Sequence, residues 1–335
     1  MTPALTARHP HVPPDRLLAG LVPPRHFADA RFATYLPDPD HPSQAAARAR
    51  LADLADALAA PRRRFRARRA APPAVYLDGG FGVGKTHLLA ALAHAVGPER
   101  TAYGTFVEYT HLVGALGFRP TVRALAHRAL VCIDEFELDD PGDTVLMSRL
   151  VRELSDAGVA IAATSNTLPE SLGEGRFAAE DFLREIQALA ARFEVLRVDG
   201  PDYRHRTAPR ATPGLPDDVV RAAVGGAPDG ACEDFVALLA HLRTVHPVRY
   251  GALLDGVGLL GLVGVAPLAD QADALRLVVL VDRLYDRDVP VLLGGRGSEG
   301  LFPEAMLRGG YRKKYLRALS RLAELGERGR AVAGD

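Results

Sequence analysis

Short apolar runs alternate with longer segments of helical periodicity along the middle of the chain. The apolar runs, each short enough for a buried strand, are 74–77, 103–107, 130–133, 159–163 and 195–198. Between the runs, apolar residues recur at helical spacing, as at Leu88, Leu89 and Leu92. Because strands that alternate with helices build parallel sheets covered on both faces, the pattern predicts an α/β fold with a parallel sheet flanked by helices.

The regions on either side of this pattern differ from it. The first 41 residues are rich in Pro, Asp and His and predict an extended leader, followed by a helix from Pro42. The loose stretches after Arg206 and at 225–230 predict linkers. The tail predicts a helix over 270–286, a strand over 289–293 and a last helix over 311–325.

We therefore predict three segments. They are 1–71, an N-terminal leader and helix with an arginine-rich stretch; 72–206, the core; and 207–335, a smaller C-terminal region. A helix that leads directly into a strand near the end of the chain leaves an alternative, in which the chain returns to the main sheet from residue 270.

The first apolar run ends in a glycine-rich loop. Gly79-x-x-x-x-Gly84-Lys85-Thr86 has the spacing of a P-loop, in which backbone N–H groups surround a phosphate at a helix N-terminus. A glycine-rich turn that matches by chance is the alternative, but the strand before the loop and the helix after it favour a nucleotide site. The predicted nucleotide-binding residues are Gly79, Gly80, Phe81, Gly82, Val83, Gly84, Lys85, Thr86 and His87.

Lysine is scarce in this sequence. Of the 41 Lys and Arg residues, only Lys85, Lys313 and Lys314 are lysines. A lysine at position 85 of such an arginine-biased chain indicates that the site needs a compact ammonium group. We expect Lys85 to reach the β- and γ-phosphates and Thr86 to bind Mg²⁺.

Two later runs end in polar residues. Asp134 and Glu135 follow the run 130–133, and ligands of open α/β sheets bind at this end of the strands. We expect Asp134 to hold Mg²⁺ and Glu135 to act as general base toward water, although an acidic helix cap is the alternative. Thr164, Ser165 and Asn166 follow the next run, 159–163. Asn166 is the candidate for the γ-phosphate contact called sensor 1, with Thr164 and Ser165 as alternates and an ordinary Asn-led turn as the other interpretation. Together the three sites predict hydrolysis of a nucleoside triphosphate.

The overall charge limits the range of partners. Lys plus Arg and Asp plus Glu each number 41, so the formal net charge is zero and nucleic acid is not the expected partner. Six arginines between 62 and 69 form a local exception, which we interpret as a solvated helix end rather than an anion-binding patch, since only Phe65 interleaves.

Cysteine content and hydropathy bear on the compartment. Cys132 and Cys232 lie far apart in the sequence, and this usage is typical of a reduced, cytoplasmic protein. No apolar stretch is long enough for a transmembrane segment, and the spacing of the histidines does not indicate a zinc site.

Several motifs taken in order resemble one protein family. They are D-E-F at 134–136 with Asp140 and Asp143, A-T-S-N at 163–166, F-L-x-x-I at 182–186, V-D-G-x-D-Y-R-x-R at 198–206, leader motifs between 23 and 47, and Y-L-R-A-L-S-R-L at 315–322. The chain resembles the ZapE/AFG-like ATPases, which are P-loop proteins related to the AAA+ class. The resemblance implies a P-loop NTPase fold and Mg²⁺-dependent ATP hydrolysis, with P-loop, Walker B and sensor roles for the residues named above.

The same resemblance raises the question of an arginine that acts across a subunit boundary. Family members have arginines just before F-L-x-x-I, where this chain has Ala179 and Asp181. Arg176 and Arg184 are nearby candidates for an arginine finger, and such a shared site would imply a homo-oligomer. Arg317 and Arg321 lie one helical turn apart and are candidates for sensor 2, with solvated surface arginines as the alternative.

For bacterial members the resemblance implies an association with cell division and the FtsZ ring, and for mitochondrial relatives a role in protein quality control. We therefore expect a cytoplasmic ATPase that remodels a protein partner. The first alternative is a replication initiator or helicase loader acting on nucleic acid, since such proteins share G-K-T-H-L-L at 84–89. The second is a nucleotide-dependent binding switch with little turnover.

Overall fold

The computed structural model describes residues 3–59, 72–80, 82–136, 141–166, 187–188, 190–200 and 212–334. By their contacts the residues group into two compact units, Pro14–Arg206 and a second unit made of Met1–Pro13 with Thr207–Asp335. The boundary after Arg206 coincides with a predicted one. The leader, however, is divided between the two units: Met1–Pro13 belongs to the second unit, and the residues from Pro14 onward belong to the first, together with the helix that follows them. The arginine-rich stretch 62–69 lies outside the described residues.

A five-stranded parallel sheet forms the centre of the first unit. Its strands are β1 (Ala74–Asp78), β2 (Thr101–Thr105), β3 (Leu130–Asp134), β4 (Ala160–Ser165) and β5 (Glu194–Arg197). They lie in the order β2-β3-β4-β1-β5, so β4 separates the first strand from the third. The register pairs Asp78 with Ser165 and Thr105 with Asp134, which brings the carboxyl ends of the strands to one edge. The predicted parallel sheet is confirmed.

Helices cover both faces of this sheet. They are α1 (Pro14–Ala19), α2 (Pro42–Ala59), α3 (Lys85–Val96), α4 (Phe106–Leu116), α5 (Phe118–Leu125) and α6 (Pro141–Asp156). Successive strand residues point to opposite faces, so Val75 and Leu77 pack with Leu51 of α2 and Leu88 of α3, whereas Tyr76 packs on the other face with residues of α4 and α6.

The leader is more structured than the sequence predicts. Tyr35 and Ala30 are buried in the same core as α2 and α3. The backbone N–H of Tyr103 donates to Leu21 O at 2.9 Å, so the leader pairs with the outer side of β2. A covered edge strand has fewer unpaired backbone groups to offer to other chains.

A three-stranded parallel sheet organises the second unit. Its strands are β6 (Gly230–Asp234), β7 (Leu259–Val263) and β8 (Val291–Leu293), in that order. The helices around it are α7 (Asp217–Gly226), α8 (Phe235–Leu242), α9 (Tyr250–Leu253), α10 (Gln271–Asp286), α11 (Glu304–Arg308) and α12 (Arg312–Ala333). The register pairs Leu260 of β7 with Val291 of β8. The alternative in which the chain returns to the main sheet from residue 270 is therefore wrong, because β8 pairs with β7 in the three-stranded sheet.

The first residues of the chain pack into this second unit. Glu233 is buried on β6, and its carboxylate accepts hydrogen bonds from the backbone N–H of Leu5 and, at 2.9 Å, from Thr6 Oγ1. Arg8 donates to Leu253 O and Asp255 O at 2.6 and 2.8 Å. Burying a carboxylate is costly unless it is hydrogen-bonded, so these contacts hold residues 3–13 on the unit.

Among the described helices, none has both the length and the apolar composition to cross a bilayer.

An ion-pair cluster joins α10 to α12. Arg317 Nη2 lies 2.8 Å from Asp282 Oδ2, and Arg321 pairs with the other carboxylate oxygen while its guanidinium group lies 4.9 Å from the ring centre of Tyr285. Burial raises the pKa of Asp282, but the two arginines outweigh it and hold the pKa below its usual value. Because the folded-state pKa is lowered, this carboxylate stabilises the fold above its unfolded pKa and loses that effect as the pH falls.

Asp282→Asn should lower the free energy of unfolding at pH 7 by about 2–3 kcal/mol, because it removes the carboxylate that both guanidinium groups contact. The difference from wild type should shrink as the pH falls below about 4. Urea denaturation followed by circular dichroism at both pH values measures it. Glu304→Gln, which removes an exposed ion pair with Arg308, is the control and should leave stability nearly unchanged. Equal effects of the two variants would contradict the prediction.

Candidate active site

The glycine-rich loop connects β1 to the N-terminus of α3. Gly82 and Gly84 have φ angles of +81° and +87°, in the left-handed region that favours glycine. A Cβ atom at Gly79 would collide with Val198 O, so this position has no room for a side chain. Gly79, Gly82 and Gly84 therefore stand at positions where the backbone or the lack of space favours glycine. Phe81 lies outside the described residues, and Gly80 is exposed at the rim.

Lys85 lies at the first position of α3 and is 8% exposed. Its Nζ donates to Gly79 O at 2.7 Å, Gly80 O at 2.5 Å and Asn166 Oδ1 at 2.8 Å. Asn166 directly follows β4, which is the neighbour of β1, so the strand order brings the predicted sensor side chain to the predicted lysine. Oxygen acceptors on several sides fix the ammonium group at the mouth of the loop.

Asp134 ends β3 and is 5% exposed. Three hydroxyl groups donate to its carboxylate: Thr86 Oγ1 to Oδ1 at 3.3 Å, Tyr103 OH to Oδ2 at 2.9 Å, and Thr164 Oγ1 to Oδ1. The predicted metal ligands Thr86 and Asp134 are therefore adjacent. A buried carboxylate needs such donors, because an unsatisfied one would pay the full cost of desolvation.

Sequence reasoning did not identify Tyr103 as a site residue. Burial raises the pKa of Tyr103 well above its usual value and the neighbouring Asp134 raises it further, so the hydroxyl stays a donor. The register pairs Tyr103 with Cys132, two residues before Asp134, so the tyrosine and the carboxylate share a sheet face. The signal in the sequence is a tyrosine, with its polar hydroxyl, on a strand that is predicted to be buried. Only the register between β2 and β3 shows which residue that hydroxyl contacts.

Glu135 follows in a strained conformation. Its φ of +54° is in the left-handed region, which costs a non-glycine residue of the order of 1 kcal/mol or more. The Glu135 N–H donates to Thr164 Oγ1 at 3.1 Å and to Asp134 Oδ1 at 3.2 Å, and the next N–H, of Phe136, donates to Thr164 O at 2.7 Å. Thr164, an alternate for the sensor role, instead contacts both acidic residues.

An aromatic cluster anchors the chain just beyond Glu135. Phe136 is fully buried, and its ring centre lies 5.3 Å from that of Phe106 and 6.2 Å from that of Tyr76. The rings meet edge to face, a favourable arrangement for aromatic pairs. Glu135 is therefore held between a hydrogen-bonded carboxylate and a buried ring, which fixes its backbone in the turn.

The remaining predicted residues have different surroundings. His87 Nε2 lies 3.1 Å from both Thr34 Oγ1 and Arg31 O, so its ring contacts the leader. Arg317 and Arg321 pair with Asp282 within the second unit. The sequence predicts either a contact with nucleotide or exposure to solvent for these arginines, and a shared ion pair is neither. A sensor 2 role for them stays a prediction. Arg176 and Arg184 lie outside the described residues.

The donor set fits magnesium better than zinc. The Thr86 hydroxyl and the Asp134 carboxylate are oxygen ligands 3.3 Å apart, and Mg²⁺ in nucleotide sites is held by few protein oxygens together with phosphates and water. No cluster of three or more His, Cys, Asp or Glu side chains suited to a metal occurs among the described residues. A loop whose glycines Gly82 and Gly84 have left-handed φ angles, next to the fixed ammonium group of Lys85, is likewise suited to binding polyphosphate.

Comparison with known proteins finds relatives of similar sequence. The chain is 26% identical over 294 residues to the cell division protein ZapE of Escherichia coli K12, an alignment covering 75% of this chain and 77% of the relative. It is 31% identical over 152 residues to the uncharacterized protein C115.02c of Schizosaccharomyces pombe, covering 40% and 33% of the two chains.

Solved structures similar to this one include the DnaC helicase loader, with a TM-score of 0.36 at 15% identity, covering 52% of this chain and 99% of that one. AMPPCP-bound DnaA from Aquifex aeolicus has a TM-score of 0.41 at 12% identity and 62% of each chain covered.

The AFG1-like ATPase family model matches residues 11–224 and 220–330, which is most of the chain. The parallel sheet, the glycine loop after β1 and the acidic pair after β3 constitute a P-loop NTPase fold of the AAA+ type. The chain is therefore an ATPase that belongs to the AFG1-like ATPase family.

Proposed function

We propose that the chain hydrolyses ATP in a Mg²⁺-dependent reaction at the site described above, and that the cycle remodels a protein partner of the division machinery. The observation that carries the site assignment is the convergence of three strand ends. Lys85, which follows β1, contacts Asn166, which follows β4, and Thr86 contacts Asp134 at the end of β3.

Each residue has a role that its surroundings support. The backbone N–H groups of the loop and the Lys85 ammonium bind the phosphates, and Asn166, whose amide oxygen accepts from Lys85, contacts the terminal one. Thr86 and Asp134 would hold Mg²⁺, which, when bound, neutralises charge on the phosphate oxygens. Glu135 orients and deprotonates the attacking water.

The contacts of Lys85 support a link between nucleotide binding and β4. The ammonium group donates to two neutral carbonyl oxygens and to the Asn166 amide oxygen. Phosphate oxygens are charged acceptors and form stronger hydrogen bonds, so we expect Lys85 to exchange some of these contacts for phosphate. Asn166 then becomes available to the nucleotide.

The partner is proposed from the relative rather than from a surface. A relative that aligns with 75% of this chain is named a cell division protein. FtsZ is the partner that the resemblance to the ZapE/AFG-like ATPases implies. Cys132 and Cys232 are free thiols, which supports a cytoplasmic location. We also propose a homo-oligomer in which an arginine of one subunit completes the ATP site of another. This part of the proposal rests on the sequence, since the two candidate arginines, Arg176 and Arg184, lie outside the described residues.

Lys85→Ala should weaken ATP binding at least about tenfold, because it removes a charged donor from the phosphates. Glu135→Gln should bind ATP as wild type does while its kcat falls about 10²–10⁴-fold, because only the general base is lost. Titration with a fluorescent ATP analogue and phosphate release, each with and without Mg²⁺, separate the two effects. Lys85→Arg keeps the charge but not the compact shape and should fail like alanine. Wild-type turnover in any of these variants would refute the site assignment.

Thr164→Val should reduce kcat by about 10–100-fold, because its hydroxyl donates to Asp134 and accepts from the Glu135 N–H. The substitution keeps the side-chain shape. Thr121→Val is the matched control, since the Thr121 hydroxyl is also buried and donates to Gly117 O, directly before its own helix α5. Steady-state phosphate release and melting temperature are measured for both. Equal kcat values in the two variants would show that Thr164 does not support the acidic pair.

Binding to purified FtsZ tests the partner. Glu135→Gln with ATP and Mg²⁺ should bind FtsZ more tightly than the same variant without ATP, because the nucleotide-bound state persists. Lys85→Ala with ATP is the control and should behave like the nucleotide-free state. Sedimentation of FtsZ polymers with each variant gives the bound fraction. Equal binding in all three conditions would reject an ATP-dependent FtsZ partner while leaving the ATPase site untouched.

A further inference from the structure

The leader contacts the helix that follows the glycine loop along most of its length. His87 Nε2 lies 3.1 Å from Thr34 Oγ1 and from Arg31 O, and His94 Nε2 lies 2.9 Å from Phe27 O. Residues 25–35, here called the leader segment, therefore run along α3 from its last turn back to its third position. This contact brings the leader to the loop itself.

Tyr35 is the last residue of the leader segment and packs against the glycine loop. It is 6% exposed, and its hydroxyl donates to the backbone oxygen of Val83 at 2.9 Å. A Cβ atom at Gly84 would lie 2.6 Å from Tyr35 Cε2, so the ring fills the space that a side chain at position 84 would need. The tyrosine thus contacts the loop by both its ring and its hydroxyl.

The side chain of Val83 is held from another direction. It is buried, and a Cβ atom at Gly200 would lie 2.9 Å from Val83 Cγ1. Gln44 Nε2 donates to Asp199 O at 2.7 Å, which fixes the chain next to Gly200. Val83 therefore has its side chain fixed by the segment after β5 and its carbonyl group fixed by Tyr35.

The carbonyl group of Val83 and the N–H of Gly84 belong to one peptide unit. That unit is planar and trans, so its C=O and N–H point in opposite directions. A hydrogen bond that fixes Val83 O toward Tyr35 therefore also fixes the Gly84 N–H toward the inner side of the loop, where successive N–H groups surround phosphate. Gly84 has a φ of +87° and no side chain of its own to resist rotation of this unit.

We propose that Tyr35 is a positioning residue of the phosphate loop, which sets the orientation of the Gly84 N–H through the Val83 carbonyl group and so raises the affinity for ATP. The inference rests on the proposed function, in which the loop 79–86 binds the phosphates of ATP. It gives the leader a direct part in nucleotide binding.

The tyrosine hydroxyl is a donor throughout the neutral range. Burial raises the pKa of Tyr35 to about 12, although nearby Arg48 opposes the rise. Val83 O can only accept, so a phenylalanine at position 35 would keep the ring but leave this buried oxygen without the donor it has now.

Tyr35→Phe tests the proposal in the full-length protein. The Kd for ATP should rise about three- to tenfold, the loss expected for one hydrogen bond, while kcat changes less than about twofold. Tyr250→Phe is the matched control, because Tyr250 is also buried and its hydroxyl donates to one backbone oxygen, Leu242 O, at 2.7 Å in the second unit. The control should lower the melting temperature similarly without changing the Kd. Isothermal titration with ATP and Mg²⁺ gives the Kd, and phosphate release gives kcat.

Two outcomes would overturn the proposal. One is an unchanged Kd in Tyr35→Phe together with a melting temperature lowered as in the control, which would make Tyr35 a purely structural residue. The other is an equal rise in Kd for Thr34→Val, which removes a neighbouring contact with His87 but leaves Tyr35 intact, since the effect would then come from general displacement of the leader. Failure of the proposed function is distinguishable, because Lys85→Ala would then bind ATP as tightly as wild type.

Discussion

The buried carboxylate of Asp134 is the constraint on which the site depends. It lies at the end of a strand that is covered on both faces, where an ionised group is tolerated only if donors satisfy its oxygens. Thr86, Tyr103 and Thr164 supply those donors from α3, β2 and β4. A carboxylate held in this way has few alternative orientations, so one buried charge orders the residues around it.

The sequence predicts the strands, the loop and the helix around this site because the signals for them are local. Glycines at 79, 82 and 84 determine the loop conformation within a few residues, and the positions of Asp134 and Asn166 follow from the ends of apolar runs. Tyr103 is different. Its contact with Asp134 depends on the register between β2 and β3, and nothing within either strand specifies that register.

The same distinction explains the differences outside the site. The helices and strands of the tail lie close to where periodicity predicts them, but the partner of β8 is a long-range choice that periodicity does not encode. Arg317 and Arg321 have the spacing of a functional pair, yet their partner Asp282 lies on a separate helix, more than thirty residues earlier. The division of the leader between two units likewise depends on distant residues such as Glu233.

The end of β4 joins the two chemical halves of the site. Thr164 contacts Asp134 and the N–H of Glu135, and two residues later Asn166 contacts Lys85. This is possible only because β4 lies between β1, which carries the lysine loop, and β3, which carries the acids. A displacement of this strand end would therefore change the phosphate-binding lysine and the water-activating acid together. A change in the contacts of Lys85 would in turn reach Glu135 through the Asn166 hydrogen bond, the backbone from Asn166 to Thr164, and the hydrogen bond that the Glu135 N–H donates to Thr164 Oγ1.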